Sequence, residues 1–143
     1  MRDYQTAIPL LANDTLANLP PLTFFRGLVV GLDGAQHDSF DIAVTAVSPI
    51  ANAARVFAVA GRRLAPANTL DRLEMAALDF PEGAEILREA SDAFRVALYY
   101  QAAAGRQIQP DRLGKFEQRL LKTAFSSIHR LLEFTENRFI PVV

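Results

Sequence analysis

The 143 residues are enough for one domain with a single core that needs no disulfide or metal staple. Half of them are hydrophobic and 22% are charged, which excludes a disordered chain, and 15 Lys plus Arg against 16 Asp plus Glu supply no overall attraction for nucleic acid or an anionic bilayer. Cysteine is absent, which removes disulfides, thiolate metal sites and cysteine nucleophiles and agrees with a reducing compartment.

No run approaches the ~18 consecutive apolar residues of a membrane span, and Met1-Arg2-Asp3 does not lead into a signal-peptide core. The expectation is one cytoplasmic domain over 1–143 with neither membrane nor nucleic acid as a partner.

In chain order, residues 4–18 read as a helix that Pro9 should interrupt or restart. Between Leu22 and Val47 the pattern changes. Phe40, Ile42 and Val44 alternate with Asp41 and Ala43, and Asp33-Gly34 is a tight-turn pair, so a short β-hairpin or extended crossover is expected near residues 28–46. Ser48-Pro49 then announces a helix, with a hydroxyl able to cap free N–H groups and a proline suited to the first turn. It should end near Gly61, with Ile50, Ala51, Ala54, Phe57 and Ala58 inward.

A short helix follows from Asn68 or Thr69 to about Leu78, with Leu70, Leu73 and Ala77 inward. Over 81–106, Ile86, Ala90, Phe94 and Ala97 trace one stripe, widened by Leu87 and Leu98. Asp79 with Glu82 resembles a capping box for that helix, and Gly105 supplies its stop. The last helix, over 115–138, has the clearest face: Phe116, Leu120, Leu121, Ala124, Ile128, Leu131 and Leu132. Gly114 and Glu117 mark its start, and at ~1.5 Å per residue it spans roughly 35 Å. The fold class expected is all-α, an antiparallel helical bundle with one irregular insertion.

Catalytic arrangements are hard to find. His37 and His129 lack a helical partner at metal-binding spacing, and there is no phosphate loop, nucleophile elbow or dinucleotide fingerprint. In an extended segment Asp38 and Asp41 point to opposite faces, which disfavours a metal pair. No catalytic residue and no metal ligand is therefore assigned. Arg26, Arg55, Arg72 and Arg95 stand among apolar neighbours; each either lays its stem over the bundle and pairs with an acid, or meets a phosphate or carboxylate with its fork. Tyr99-Tyr100-Gln101 either lines a ligand pocket or packs in the bundle.

Several short motifs occur in a definite order: Pro20-Pro21-Leu22-Thr23-Phe24-Phe25-Arg26, Phe40-Asp41-Ile42, Ser48-Pro49-Ile50 with Ala54-Arg55, Asn68-Thr69 with Arg72-Leu73, and Leu120-Leu121-Lys122. Together, over about 10–139, they resemble the nucleotidyltransferase substrate-binding domain family. The resemblance implies a helical domain C-terminal to a nucleotidyltransferase catalytic domain, often alongside CBS or cyclic-nucleotide-binding domains. It implies one wall of the active-site cleft, with catalytic carboxylates, Mg²⁺ and a nucleoside triphosphate belonging to the catalytic domain and no cofactor in this chain.

Two positions depart from the family pattern. Ala43 stands where a lysine is common, so a phosphate contact by that lysine is lost, and Gly114-Lys115 replaces a serine-proline helix start.

The functional expectation is a non-catalytic accessory domain that binds or positions substrate, through Arg26, Asp41, Arg55, Asn68, Thr69, Arg72 and Arg95. Arginines would meet phosphate, while Asn68 and Thr69 would offer hydrogen bonds at a helix start. The alternative is a regulatory or oligomerisation module of a signalling protein, whose amphipathic helices pack against a second copy in a homodimer or against a sensor domain.

Overall fold

The structure, a computed structural model, describes residues 7–13, 39–63 and 65–140. The expected turn at Asp33-Gly34, the Pro20–Arg26 motif, His37 and Asp38 lie outside the described residues. Helix α1 (7–13) runs through Pro9 and buries Ala12 completely in the core.

The alternation beginning at Phe40 continues as strand for two residues only. β1 (Phe40–Asp41) pairs antiparallel with β2 (Gln107–Ile108), Phe40 opposite Ile108. Its partner is thus a distant connection, and no strand of a local hairpin appears among the described residues. From Ile42 the chain turns helical, and a π-helical stretch, Ala43–Val47, runs without a break into α2 (Ser48–Ala60).

The α winding begins at Ser48 as expected, but the expected capping by the Ser48 hydroxyl is corrected. Ser48 already has helical backbone angles, and the cap is Asp41, whose Oδ1 accepts from the amides of Ala43 (2.9 Å) and Val44 (3.3 Å). Pro49 accounts for the wide turn. It has no N–H to give, and in a regular α-helix its ring would press on the Thr45 carbonyl one turn earlier; π winding relieves that contact.

The 18-residue window Ala43–Ala60 has a mean hydropathy of 1.4 and is long and apolar enough to cross a membrane. Half of it is buried inside the bundle, as suits a core helix.

α2 ends at Gly61, and α3 (Thr69–Asp79) buries Leu73, Ala76 and Ala77. The expected capping box at Asp79 does not form. Asp79 closes α3 and pairs with Arg63, and the next helix begins through a 3₁₀ turn, Pro81–Gly83, whose start carries no side-chain cap. α4 (Ala84–Ala104) stops at Gly105, where φ 84° and ψ −172° define a backbone open to glycine alone. α5 (Lys115–Phe139) starts at Gly114, and Glu117 makes no cap hydrogen bond there.

The helices close a ring: α2 touches α3, α3 touches α4, α4 touches α5, and α5 returns to α2. Side chains fix the directions. Glu82 meets Arg138 and Glu89 meets Arg130, so α4 and α5 are antiparallel. Phe40 touches Phe125 while Phe57 touches Phe134 and Phe139, so α2 runs in the same sense as α5. α2 and α3 meet at their C-terminal ends through Phe57–Phe80 and Arg63–Asp79.

An aromatic cluster seals that end. Phe57, fully buried, lies edge-on to Phe80 and Phe139, with ring centroids 5.2 and 4.9 Å away, and stacks on Phe134 at 5.6 Å. The Arg138 guanidinium stands over the Phe80 and Phe139 rings. Gly83 is needed here for clearance, since a Cβ would lie 2.2 Å from the Phe134 ring.

Two expected core positions face outward instead: Phe116 is 75% exposed and Leu98 40%. Phe116 is the second residue of α5, and Leu98 lies six residues before the end of α4.

Candidate functional site

The expected site residues occupy separate parts of this frame. Arg26 lies outside the described residues. Asp41 sits at the start of the π stretch, where Arg106 grips its carboxylate through Nη2–Oδ2 at 2.9 Å and Nε–Oδ1 at 3.4 Å. Burial pushes the Asp41 carboxyl up, but the Arg106 guanidinium and the Ala43 and Val44 amides outweigh it and hold the group below its ordinary value.

Arg55 is exposed on α2, about 20 Å along the helix from Asp41. Arg72 is half-buried and donates from Nε to the Pro66 carbonyl at 3.1 Å, pinning the connection ahead of α3. Thr69 is the first residue of α3.

Asn68 and Arg95 are brought together. Both line a groove of about 890 Å³ between α3 and α4. Asn68 is the cap of α3: its Oδ1 accepts from the Asp71 amide at 2.9 Å and its Nδ2 donates to the Asp71 carboxylate at 2.7 Å. Arg95, across the groove on α4, pairs with Asp92 at 3.3 Å. Both partners are largely exposed, so the pair stabilises little and the Arg95 fork stays available to a ligand.

The floor is apolar, from Leu70, Leu73 and Ala77, and Leu78 stands 66% exposed at the rim. Glu74, Arg88 and Ser91 complete the polar lining and were missed in the sequence. Arg88 precedes Arg95 by two helical turns on the same face, a spacing that could have drawn attention to it. Among the described residues neither Arg88 nor Glu74 forms an ion pair.

Tyr99 and Tyr100 do not line this groove. Tyr100 packs in the core, where burial, then the charge of Glu117, raises its pKa, while Tyr99 is 66% exposed. His129 lies half-buried with Nε2 3.4 Å from Glu133 Oε2. Among the described residues no group of three or more His, Asp or Glu is placed to hold a metal ion.

The arrangement can bind and orient a ligand through two guanidinium forks, a cap amide and an apolar floor. It brings no nucleophile together with a base. Compared with known families, residues 6–139 match the one described as "Putative nucleotidyltransferase substrate binding domain". No match to the chain was found among curated proteins or among solved structures. With nearly its whole length covered by that match, the chain belongs to the nucleotidyltransferase substrate-binding domain family.

Proposed function

We infer that the chain is a non-catalytic accessory domain that binds or positions substrate for a nucleotidyltransferase catalytic domain, and that the α3–α4 groove is the surface it uses. The observation that carries this reading is the convergence of Asn68, Arg88 and Arg95 over an apolar floor in one open groove. Catalytic carboxylates, Mg²⁺ and the nucleoside triphosphate belong to the catalytic domain in this reading, which places the protein in the cytoplasm. CBS or cyclic-nucleotide-binding domains are further partners in the same scheme.

The test is nucleotidyl transfer by the catalytic domain joined to this chain. Arg88→Ala with Arg95→Ala is expected to raise KM for one substrate about tenfold while kcat changes little, the mark of lost binding rather than lost chemistry. Unchanged KM values for both substrates would remove the groove from the reaction.

A second reading, the regulatory or oligomerisation module, draws support from Phe116 and Tyr99, exposed at 75% and 66%. If it holds, light scattering will show a dimer that Phe116→Ser disperses.

A further inference from the structure

We propose that the α3–α4 groove takes an amphipathic polypeptide helix, as the acceptor presented for modification, and does not take the nucleoside triphosphate. The proposal rests on the groove being the substrate surface, and three features lead to it.

The first is length. The α3 wall runs from Asn68 to Leu78, about 15 Å, which matches roughly three turns of a helix laid alongside. The second is the uncovered apolar surface: Leu73 and Ala77 are buried in the floor, but Leu70 is only half-buried and Leu78 is exposed at the rim. Helices that dock in grooves bury anchors at such spacings.

The third is the distribution of charge. The α3 wall carries Asp71 and Glu74, and the α4 wall carries Arg88 and Arg95, with Asp92 held by Arg95. Acid outnumbers base in the lining as a whole. A triphosphate, anionic throughout, would be repelled along the α3 side. A helix with an acidic edge turned to α4 and a basic edge turned to α3 satisfies both walls at once. Glu74 and Arg88, one on each wall and both without an ionic partner among the described residues, are placed to read those edges.

The test uses the full chain and fluorescence anisotropy with three labelled synthetic helices sharing one leucine stripe. One carries Glu along one edge and Lys along the other, one Glu on both edges, and one Lys on both. The mixed helix is expected to bind about tenfold more tightly than either of the others. Glu74→Lys, which cancels the net negative charge of the α3 wall by setting a lysine beside Asp71, should shift the preference toward the all-Glu helix, and Arg88→Glu should shift it to the all-Lys helix.

No binding, or an order of preference that neither variant changes, overturns the proposal. Displacement of the mixed helix by Mg²⁺-ATP also overturns it, while leaving the groove as a substrate site. If preferences switch as stated but the same variants leave nucleotidyl transfer untouched, the helix site stands and the substrate-binding reading of the groove falls.

Discussion

Arg106 reaches back across 65 residues of sequence to hold both oxygens of Asp41, the carboxylate that also caps the helix beginning at Ile42. One side chain therefore ties the start of the core helix to the strand and loop that follow α4. The backbone reinforces the tie, since the Ile42 amide donates to the Arg106 carbonyl at 2.8 Å. Asp41→Ala is expected to lower the Tm more than Arg106→Ala, because the first change removes cap and pair together and the second leaves the cap in place. Thermal unfolding of both single variants and the double variant measures the coupling; purely additive losses would mean that the pair contributes nothing.

The same carboxylate sets an acid limit. Asp41 and Asp79 both titrate below the ordinary value of 3.8, Asp79 chiefly through the Arg63 guanidinium. A lowered folded-state pKa means that the unfolded chain binds the proton first. The stabilisation is complete above the ordinary carboxylate value and is lost as pH falls through the lower folded values. Urea titrations between pH 7 and pH 2 should show the difference between the native chain and Asp79→Asn narrowing at the acid end.

Gly83 and Gly105 should respond to alanine for different reasons. At Gly83 the added carbon collides with the Phe134 ring, at an expected cost of about 1–3 kcal/mol that a second change, Phe134→Ala, partly removes. At Gly105 the added carbon meets nothing within 4 Å, so the cost, about 1–3 kcal/mol, lies in the backbone and no neighbouring truncation relieves it. Denaturant unfolding of the two alanine variants, each with and without Phe134→Ala, separates the causes.

Arg62 takes the left-handed conformation, φ 59°, just past the end of α2. Its amide bonds to the Val59 carbonyl at 3.1 Å and the Arg63 amide to the Ala58 carbonyl at 2.8 Å, the pattern in which glycine is favoured at this position. Replacing Arg62 with glycine and with alanine removes the same side chain but only glycine relieves the backbone. The glycine variant is expected to be the more stable by about 0.5–1 kcal/mol, after allowing for the freedom glycine gains when unfolded. Equal stabilities would show that the conformation carries no strain.

Phe116 and Phe125 share a helix and a residue type, but not a fate. Phe116→Ser should change stability by no more than about 0.5 kcal/mol, whereas Phe125→Ala, in the core against Phe40, should cost about 3–5 kcal/mol. Unfolding curves for both variants will show whether the exposed ring is as idle in the isolated chain as its position implies.

Much of the bundle was legible from periodicity. The faces of α2, α3, α4 and α5 follow from apolar spacing, and the limits at Asn68 and Gly105 from residues whose capping or backbone chemistry is distinctive. Phe116 and Leu98 misled because periodicity states which residues share a face, and cannot state where the neighbouring helix ends. Asp79 misled because a capping pattern is local, while the Arg63 that claims its carboxylate is 16 residues away. The short β pair escaped for the same reason: Phe40 and Ile108 are joined by tertiary geometry, with no turn between them to advertise the pairing. Asn68 and Arg95 were visible as polar side chains in suggestive places, whereas Arg88 and Glu74 belong to no motif and gain their position only when α3 and α4 set them on facing walls.

The wide turn ahead of α2 also fixes a phase. Each residue advances an α-helix by about 100°, so deleting a single residue within 43–47 would leave Phe57 and its ring cluster in place only by rotating Asp41 about that far from Arg106. Conversely, keeping Asp41 on Arg106 would turn the buried stripe of α2 toward solvent. The extra residue acts as a gear tooth between two ends of one helix, and length at this point is constrained more tightly than residue identity.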